Sequence, residues 1–230
     1  MIKGVIFDVD NTLTDFMRAK RMAVDAAVEM MIDAGLKTDK DAFVEKIFDI
    51  YWKDGVEDQR IFDKVLQKEF GRIETRILAA GIVGYRRAKN GAQVLYPHVS
   101  VTLFELLKMG TKSVVLSDAP KLEVWLRLVN LGIHNYFDHV IASEDYGVKK
   151  PNAIPFQKAL EVLGTKAEET VMIGDWPDRD IVGAKKIGLK TVWASYGDTF
   201  GTKPKESGAD YEIKDIIELV DIIKKENGTA

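Results

Sequence analysis

The sequence predicts an α/β protein built on a parallel β-sheet. Short apolar runs bounded by turn residues recur along the chain, and helical patterns separate most of these runs. Glycines such as Gly110, Gly132 and Gly164 stand where the helical patterns stop. Strands that alternate with helices form parallel sheets covered on both faces, so we expect these strands to be buried.

The first strand is predicted over residues 2–7, where an apolar run ends at Phe7. Further apolar runs of strand length lie at 113–116, 139–142, 170–173 and 191–194, with a weaker one at 211–213. Apolar residues at helical spacing predict helices over 101–108, 121–131, 155–163 and 180–187. The alternation of these two kinds of element carries the fold prediction.

One long stretch, from residue 16 to about residue 91, has no convincing strand pattern. Successive helical patterns cover residues 17–34, 41–52, 59–70 and 73–88. We interpret four methionines of the first pattern as bundle core: Met17, Met22, Met30 and Met31. Because the stretch separates the first two strands, an inserted helical domain is predicted over 15–92, and a sheet domain over 1–14 and 93–230.

The bulk composition is that of an ordinary globular chain. The 230 residues carry a formal net charge of −3, so nucleic acid is not an expected partner. The sequence contains no cysteine, which excludes disulfides, a thiolate nucleophile and a cysteine-based zinc site. Because no apolar run approaches the roughly 18 residues of a membrane span, we expect no membrane partner and predict a cytoplasmic protein.

Polar residues stand where the predicted strands end. They are Asp8 and Asp10 after the first strand, Ser117 after the second, Asp175 and Asp180 after the fourth, and Lys150 in a loop stiffened by Pro151. The carboxyl ends of neighbouring parallel strands meet at one edge of a sheet, which is where such sheets bind ligands. We therefore expect these side chains to converge on one rim.

Such a cluster favours phosphoryl transfer. Several carboxylates packed together repel one another unless a cation neutralises them. Oxygen ligands without histidine or cysteine suit Mg²⁺, which usually keeps waters and accepts a substrate phosphate oxygen. A lysine beside a metal-bound carboxylate forms an anion pocket that suits a phosphoryl group in transfer.

Four motifs at these positions resemble those of the haloacid dehalogenase (HAD) superfamily of phosphatases, and the resemblance covers essentially the whole chain. The matching residues are Asp8, Asp10 and Thr12 for the DxDxT motif, Ser117 for the second, Lys150 for the third, and Gly174-Asp175 with Asp180 for the GDxxxxD motif. The resemblance implies a Rossmann-like parallel sheet core. The helical insertion resembles the C1-type cap domain of the family.

The resemblance also implies the catalytic roles. Asp8 is expected to attack phosphorus and form an aspartyl-phosphate. Asp10 is expected to protonate the leaving alkoxide and then to deprotonate the water that hydrolyses the intermediate. Ser117 is expected to donate a hydrogen bond to a phosphoryl oxygen, and Lys150 to pair with Asp8 and the transferring group.

The implied cofactor is Mg²⁺. Asp8 and Asp175 are expected to bind it through their carboxylates, and Asp10 through its backbone carbonyl. Asp180 is expected to support the metal waters or to orient the lysine. Alternatives stay open for three positions: Ser117 and Asp180 are also typical helix caps, and Lys149 is an alternative to Lys150 as the functional lysine.

The predicted function is Mg²⁺-dependent hydrolysis of a small phosphorylated metabolite, since a closing cap domain excludes bulk water and large substrates. Sugar phosphates, glyceraldehyde 3-phosphate, phosphoglycolate and nucleoside monophosphates all stay open. The alternatives are a phosphomutase of the β-phosphoglucomutase type and a non-catalytic module that binds a phosphorylated metabolite. Haloacid dehalogenation is disfavoured, because attack on carbon has no use for Asp10. Candidate recognition residues in the insertion are Arg18, Lys20, Trp52, Arg60, Arg86 and Arg87.

Overall fold

The computed structural model describes residues 1–197 and 207–229. Its strands form one parallel sheet in the order β3-β2-β1-β4-β5-β6. The strands are β1 (Gly4–Phe7), β2 (Lys112–Ser117), β3 (His139–Ala142), β4 (Thr170–Gly174), β5 (Lys190–Ala194) and β6 (Tyr211–Ile213). The predicted α/β fold class is confirmed, and each predicted strand is present.

The α-helices occur in two groups. Between β1 and β2 lie α1 (Phe16–Asp33), α2 (Lys40–Asp54), α3 (Ile61–Phe70), α4 (Thr75–Ala92) and α5 (Val99–Lys108). The rest follow the later strands: α6 (Lys121–Asn130), α7 (Ala153–Leu163), α8 (Val182–Lys185) and α9 (Glu218–Glu226). Among the residues that the structure describes, no helix is both long and apolar enough to cross a membrane.

β1 lies at the centre of the sheet and defines the functional edge. Its last residue, Phe7, is level with Val115 of β2 and Ile173 of β4. The chain moves outward from β1 through β2 to β3 and then returns to the other side of β1 as β4. Such a reversal of strand order opens a crevice at the carboxyl ends of the strands. The loops after β1 and β4 therefore emerge side by side.

Both faces of the sheet are covered by apolar side chains. On one face Phe7 packs in a cluster with Leu103 of α5 and Val124 of α6. On the other face Ile6 packs in a cluster with Phe156 of α7. Successive residues of a strand point to opposite faces, so an almost continuous apolar run is what a doubly covered strand requires.

The chain divides into two compact units, Met1–Asp15 with Val94–Ala230 and Phe16–Gln93. We call them the sheet unit and the helical unit. The helical unit has an apolar cluster of its own, in which Phe43, Ile47 and Val65 pack with residues of α1. It is therefore a helical bundle with a separate core.

The methionine interpretation was wrong for Met22, whose side chain is 43% exposed, whereas Met31 is fully buried. The buried stripe of α1 includes the small residues Ala23 and Ala27 instead. The physical reason is helical phase, because the buried positions of α1 are 16, 19, 20, 23, 24, 27, 28 and 31, and Met22 lies off this stripe. The backbones of α1 and α4 also approach closely, since a Cβ atom added at Gly84 of α4 would lie only 2.5 Å from the Ala26 carbonyl oxygen.

The predicted helix over 180–187 was also wrong in its bounds. A wide π-helical turn spans Pro177–Ile181, and regular α-helix covers only Val182–Lys185. The cause is Asp180, whose side chain is 1% exposed and is drawn inward by the amide N–H of Trp176, which donates to Asp180 Oδ2 at 3.1 Å. Wide turns of this kind commonly mark functional sites.

Candidate active site

Lys150 joins two carboxylates beneath the carboxyl edge of the sheet. Its Nζ lies 2.6 Å from Asp8 Oδ1 and 2.6 Å from Asp180 Oδ1, and only 3% of its side chain is exposed. Burial alone would lower the pKa of Lys150, but the charges of Asp180 and Asp8 raise it above its ordinary value. Lys150 is therefore a buried lysine whose charged form is favoured by its two carboxylate partners, whereas the neighbouring Lys149 is exposed.

The loop that carries Lys150 is fixed by its backbone. The Lys150 amide donates to Asp118 Oδ1 at 3.0 Å, which ties this loop to the end of β2. Lys150 Nζ also lies 3.3 Å from the Leu116 carbonyl oxygen of β2. Asp118 further faces Arg179, whose guanidinium stacks 3.8 Å from the ring centroid of Trp176. The position of Lys150 is thus determined by β2 and the residue after it as well as by its own loop.

Asp8, Asp175 and Asp180 form a buried acidic cluster in which one oxygen from each carboxylate lies within 4.8 Å of the others. Burial raises the pKa of Asp8 to about 7, with Lys150 opposing the rise and Asp180 adding to it. Burial and the charges of Asp8 and Asp180 likewise raise the pKa of Asp175 well above its ordinary range. Three carboxylates share one lysine, so a further cation is needed for all three to be ionised.

The acidic cluster fits a divalent cation. Its donors are hard carboxylate oxygens, and none comes from histidine or cysteine. That donor set suits Mg²⁺ and not zinc. Both oxygens of Asp180 are engaged, one by Lys150 and one by the Trp176 amide. Asp8 also uses both of its oxygens, with Oδ1 at Lys150 and Oδ2 3.4 Å from Thr12 Oγ1.

Ser117 ends β2 and is 2% exposed. Its hydroxyl oxygen accepts from the Ala119 amide at 3.2 Å, which is a local turn contact. Ser117 does not cap α6, because that helix begins at Lys121 with Pro120 at its N-cap position. A hydroxyl that accepts this bond still has its own proton to donate, so the turn contact and a phosphate contact are compatible. The structure places Ser117 on the same strand edge as Asp8 without joining the two by a direct bond among the described contacts.

Three residues that the sequence did not indicate hold the acidic loops. Trp193 at the end of β5 donates its indole N–H to the Asp175 carbonyl at 2.9 Å. Tyr196 donates its hydroxyl to the Thr12 carbonyl at 2.7 Å. Arg127 of α6 lies 3.1 Å from Asp10 through Nη1 and Oδ2. The only sequence signal for the first two was a pair of polar-tipped aromatic residues directly at a strand end.

The chain matches the family model described as haloacid dehalogenase-like hydrolase over residues 2–188. A protein of Methanocaldococcus jannaschii named glyceraldehyde 3-phosphate phosphatase is 38% identical over 97% of this chain and 98% of its own length. A protein of Methanopyrus kandleri with the same name is 35% identical over 98% of both chains. The crystal structure of a HAD phosphatase from Thermococcus onnurineus superposes with a TM-score of 0.71 at 25% identity, covering 96% of this chain and 98% of that one.

This chain therefore belongs to the haloacid dehalogenase-like hydrolases. Within that family it is a phosphatase, an enzyme that hydrolyses phosphoric monoesters. The resemblance inferred from the four motifs is confirmed by the family match.

Proposed function

We propose that the protein is a Mg²⁺-dependent phosphatase that hydrolyses glyceraldehyde 3-phosphate through an aspartyl-phosphate on Asp8. The observation that carries the mechanism is the buried contact of Lys150 with Asp8 and Asp180, beside Asp175. The substrate assignment is supported by five relatives, 32–38% identical, that share the name glyceraldehyde 3-phosphate phosphatase. Such a substrate is a small phosphorylated metabolite.

In the first step, an Asp8 oxygen forms a bond to phosphorus while the bond from phosphorus to the ester oxygen breaks. The leaving alkoxide takes a proton from the Asp10 carboxyl. Lys150, held against Asp8 at 2.6 Å, stabilises the negative charge of the transferring group, and Ser117 donates a hydrogen bond to one of its oxygens. The step leaves an acyl phosphate on Asp8 and a free alcohol.

In the second step, Asp10 accepts a proton from water, and the water oxygen bonds to phosphorus as the bond to Asp8 breaks. Inorganic phosphate leaves, and both carboxyl groups return to their starting states. Two successive displacements allow a weak carboxylate nucleophile to replace direct attack of water on the ester.

The metal ligands in this proposal are Asp8, Asp175 and the Asp10 backbone carbonyl, while Asp180 orients Lys150. The 2.6 Å contact of Asp180 Oδ1 with Lys150 Nζ supports its role in orienting the lysine. A bound Mg²⁺ would neutralise the acidic cluster and polarise a phosphate oxygen. The raised pKa values of Asp8 and Asp175 support the need for that positive charge.

We further propose that the sheet unit and the helical unit are the core and cap domains of a C1-type phosphatase, with core boundaries at 1–14 and 93–230 and a cap over 15–92. The division of the chain at Asp15 and Gln93 supports these limits to within a residue. A cytoplasmic location is proposed with them, since a triose phosphate is a metabolite of the cell interior.

The test is phosphate release from glyceraldehyde 3-phosphate at neutral pH, with Mg²⁺ or with EDTA. Asp8→Asn is expected to lower the rate by at least about 10⁴-fold, since loss of a nucleophile removes the covalent route. Asp178→Asn is the matched control, because Asp178 is an exposed carboxylate in the same acidic segment. Wild-type rates for Asp8→Asn would refute the assignment of Asp8 as the nucleophile. Hydrolysis of other phosphate monoesters but not of glyceraldehyde 3-phosphate would refute the substrate assignment.

A further inference from the structure

Arg127 is a fully buried arginine that stands where an apolar residue would be expected. It lies on α6 and is 1% exposed. Val124, one turn earlier, and Leu128, its neighbour, are both fully buried in the apolar cluster on that face of the sheet. A guanidinium at such a place loses its hydration, and burial of this kind is costly unless the charge is compensated.

One group that faces this charge is Asp10. Nη1 of Arg127 lies 3.1 Å from Asp10 Oδ2, and Asp10 keeps 23% of its side chain exposed. The cation is thus sealed inside the sheet unit, while the carboxylate that it holds still reaches the surface of the site. A guanidinium held by packing presents its charge from a fixed position, which a flexible ammonium does not.

The two partners are attached to one apolar cluster, which makes their separation a property of the packing. Val9 and Leu13, on either side of the turn that contains Asp10, belong to the same cluster as Val124 and Leu128 of α6. The Leu13 amide also donates to the Val9 carbonyl at 2.9 Å, which closes this turn. Neither backbone moves easily relative to the other, so Arg127 presents a fixed charge to Asp10.

The two catalytic carboxylates are held by different cations. Asp8 is held by Lys150, which reaches it from the loop after β3, and Asp10 faces Arg127, which belongs to the helix after β2. A buried ion pair adds little to stability compared with apolar side chains of similar size. Placing a buried arginine on α6 is therefore better explained by control of Asp10 than by stabilisation of the fold.

We propose that Arg127 is a positioning residue for Asp10 in the catalytic reaction. It fixes the rotamer of the Asp10 carboxyl so that its proton is delivered to the leaving oxygen of an alkyl phosphate. The inference rests on the proposed function, because it requires Asp10 to be the proton donor. In this assignment Arg127 acts through Asp10 and not through contact with the substrate.

The dependence on the leaving group tests this assignment. We would measure kcat/KM for glyceraldehyde 3-phosphate, whose alkoxide needs a proton, and for 4-nitrophenyl phosphate, whose phenolate leaves without one. Arg127→Met is expected to lower the first value about 10- to 100-fold and the second several-fold less, since general acid catalysis contributes that order of magnitude. Arg127→Lys is expected to recover part of the loss.

Two controls separate positioning from folding. Lys158→Met removes an exposed cation from α7, where Lys158 pairs with Glu161, and is expected to leave both kcat/KM values and Tm unchanged. In an Asp10→Asn background, Arg127→Met should no longer alter the ratio of the two kcat/KM values, because there is no proton left to position. Equal losses on both substrates, or a ratio that still changes in the Asp10→Asn background, would overturn the assignment.

The same measurements distinguish failure of the proposed function from failure of the Arg127 assignment. If Asp10→Asn itself shows no preference between the two leaving groups, the acid role of Asp10 in the proposed function is wrong, and the role of Arg127 falls with it. If Asp10→Asn is selective and Arg127→Met is not, only the assignment of Arg127 is refuted. If Arg127→Met does not fold, Arg127→Lys decides: it must show the same selectivity to a smaller degree, and equal losses on both substrates refute the proposal.

Discussion

The sheet unit and the helical unit bury different kinds of side chain. Among the described residues, the sheet unit buries five ionisable side chains of aspartate, lysine or arginine, namely Asp8, Arg127, Lys150, Asp175 and Asp180. Over the same described residues, the helical unit buries a single one, Lys20. Four of the five in the sheet unit form one connected group at the strand ends, and Arg127 faces the same loop.

Lys20, the buried lysine of the helical unit, lies close to three aromatic rings. Its ammonium lies 4.6 Å from the ring centroid of Tyr51, 5.4 Å from that of Tyr85 and 5.6 Å from that of Phe16. Aromatic faces stabilise a buried cation through the ring quadrupole. The buried lysine of the helical unit thus lies among aromatic rings, whereas the buried lysine of the sheet unit lies among carboxylates. We therefore expect substitutions at the strand ends of the sheet unit to lower activity, and substitutions in the packed interior of the helical unit to lower stability.

The largest effect is expected from the buried lysine. Lys150→Met leaves Asp8 and Asp180 without their shared cation and should lower kcat about 10³-fold, as loss of a preorganised charge does. Lys149→Met is the matched control, because Lys149 is exposed and adjacent. Steady-state phosphate release measures both. A larger loss for Lys149→Met would show that the other lysine is the functional one.

In the helical unit, Gly84→Ala should act on stability. The new Cβ would meet the Ala26 carbonyl oxygen at 2.5 Å, so α1 and α4 must separate, at a cost of about 1–3 kcal/mol. Gly91→Ala lies on the same helix with nothing within 4 Å and should be neutral or slightly stabilising. Thermal unfolding of both variants decides between a packing requirement and a mere propensity effect, which would stabilise both.

The acidic cluster should make metal-free stability depend on pH. The carboxyl of Asp8 has a pKa of about 7 in the folded protein and an ordinary value of 3.8, so it binds its proton more tightly when folded. Stability is therefore expected to fall as the pH rises from about 4 to about 7, the reverse of the behaviour of a salt-bridged carboxylate. Melting curves in EDTA should show Tm decreasing over this range, and Asp8→Asn should flatten the dependence.

The increase in Tm that Mg²⁺ causes should also depend on pH. A cation that binds the ionised cluster should raise Tm more at about pH 8 than at about pH 5, because protons compete for the same oxygens. An equal increase at both pH values would mean that the metal does not bind these carboxylates.

The smallest effect is expected from substitution of Trp193, which holds the backbone of Asp175. Trp193→Phe removes the indole N–H that donates to the Asp175 carbonyl at 2.9 Å and leaves that buried oxygen without this bond. The loss is worth about 1 kcal/mol, so Mg²⁺ should bind several-fold more weakly. Trp125→Phe is the control, since Trp125 lies exposed on α6. The Mg²⁺ affinity of both variants is obtained from activity measured at increasing Mg²⁺ concentration. Equal Mg²⁺ affinities of Trp193→Phe and the wild-type protein would show that Trp193 does not stabilise the site.

Most of the fold was predictable because its signals are local. A continuous apolar run such as 171–173, followed by Gly174 and Asp175, identifies a doubly covered strand and the loop after it without knowledge of its neighbours. The bounds at 180–187 failed because the buried Asp180 side chain contacts both the Trp176 amide and Lys150, and Lys150 lies thirty positions earlier in the chain. Helix periodicity cannot register a contact of that kind.

By itself, the sequence determined the order of strands and helices, the insertion after β1 and the identity of the residues at the strand ends. These follow from side-chain period and from motifs that occupy a few consecutive positions. Only the tertiary structure decided which lysine enters the site, that Met22 leaves the core, and that Arg127 faces Asp10. Each depends on the distance between segments far apart in the chain, and that distance is set by packing across the sheet and between helices.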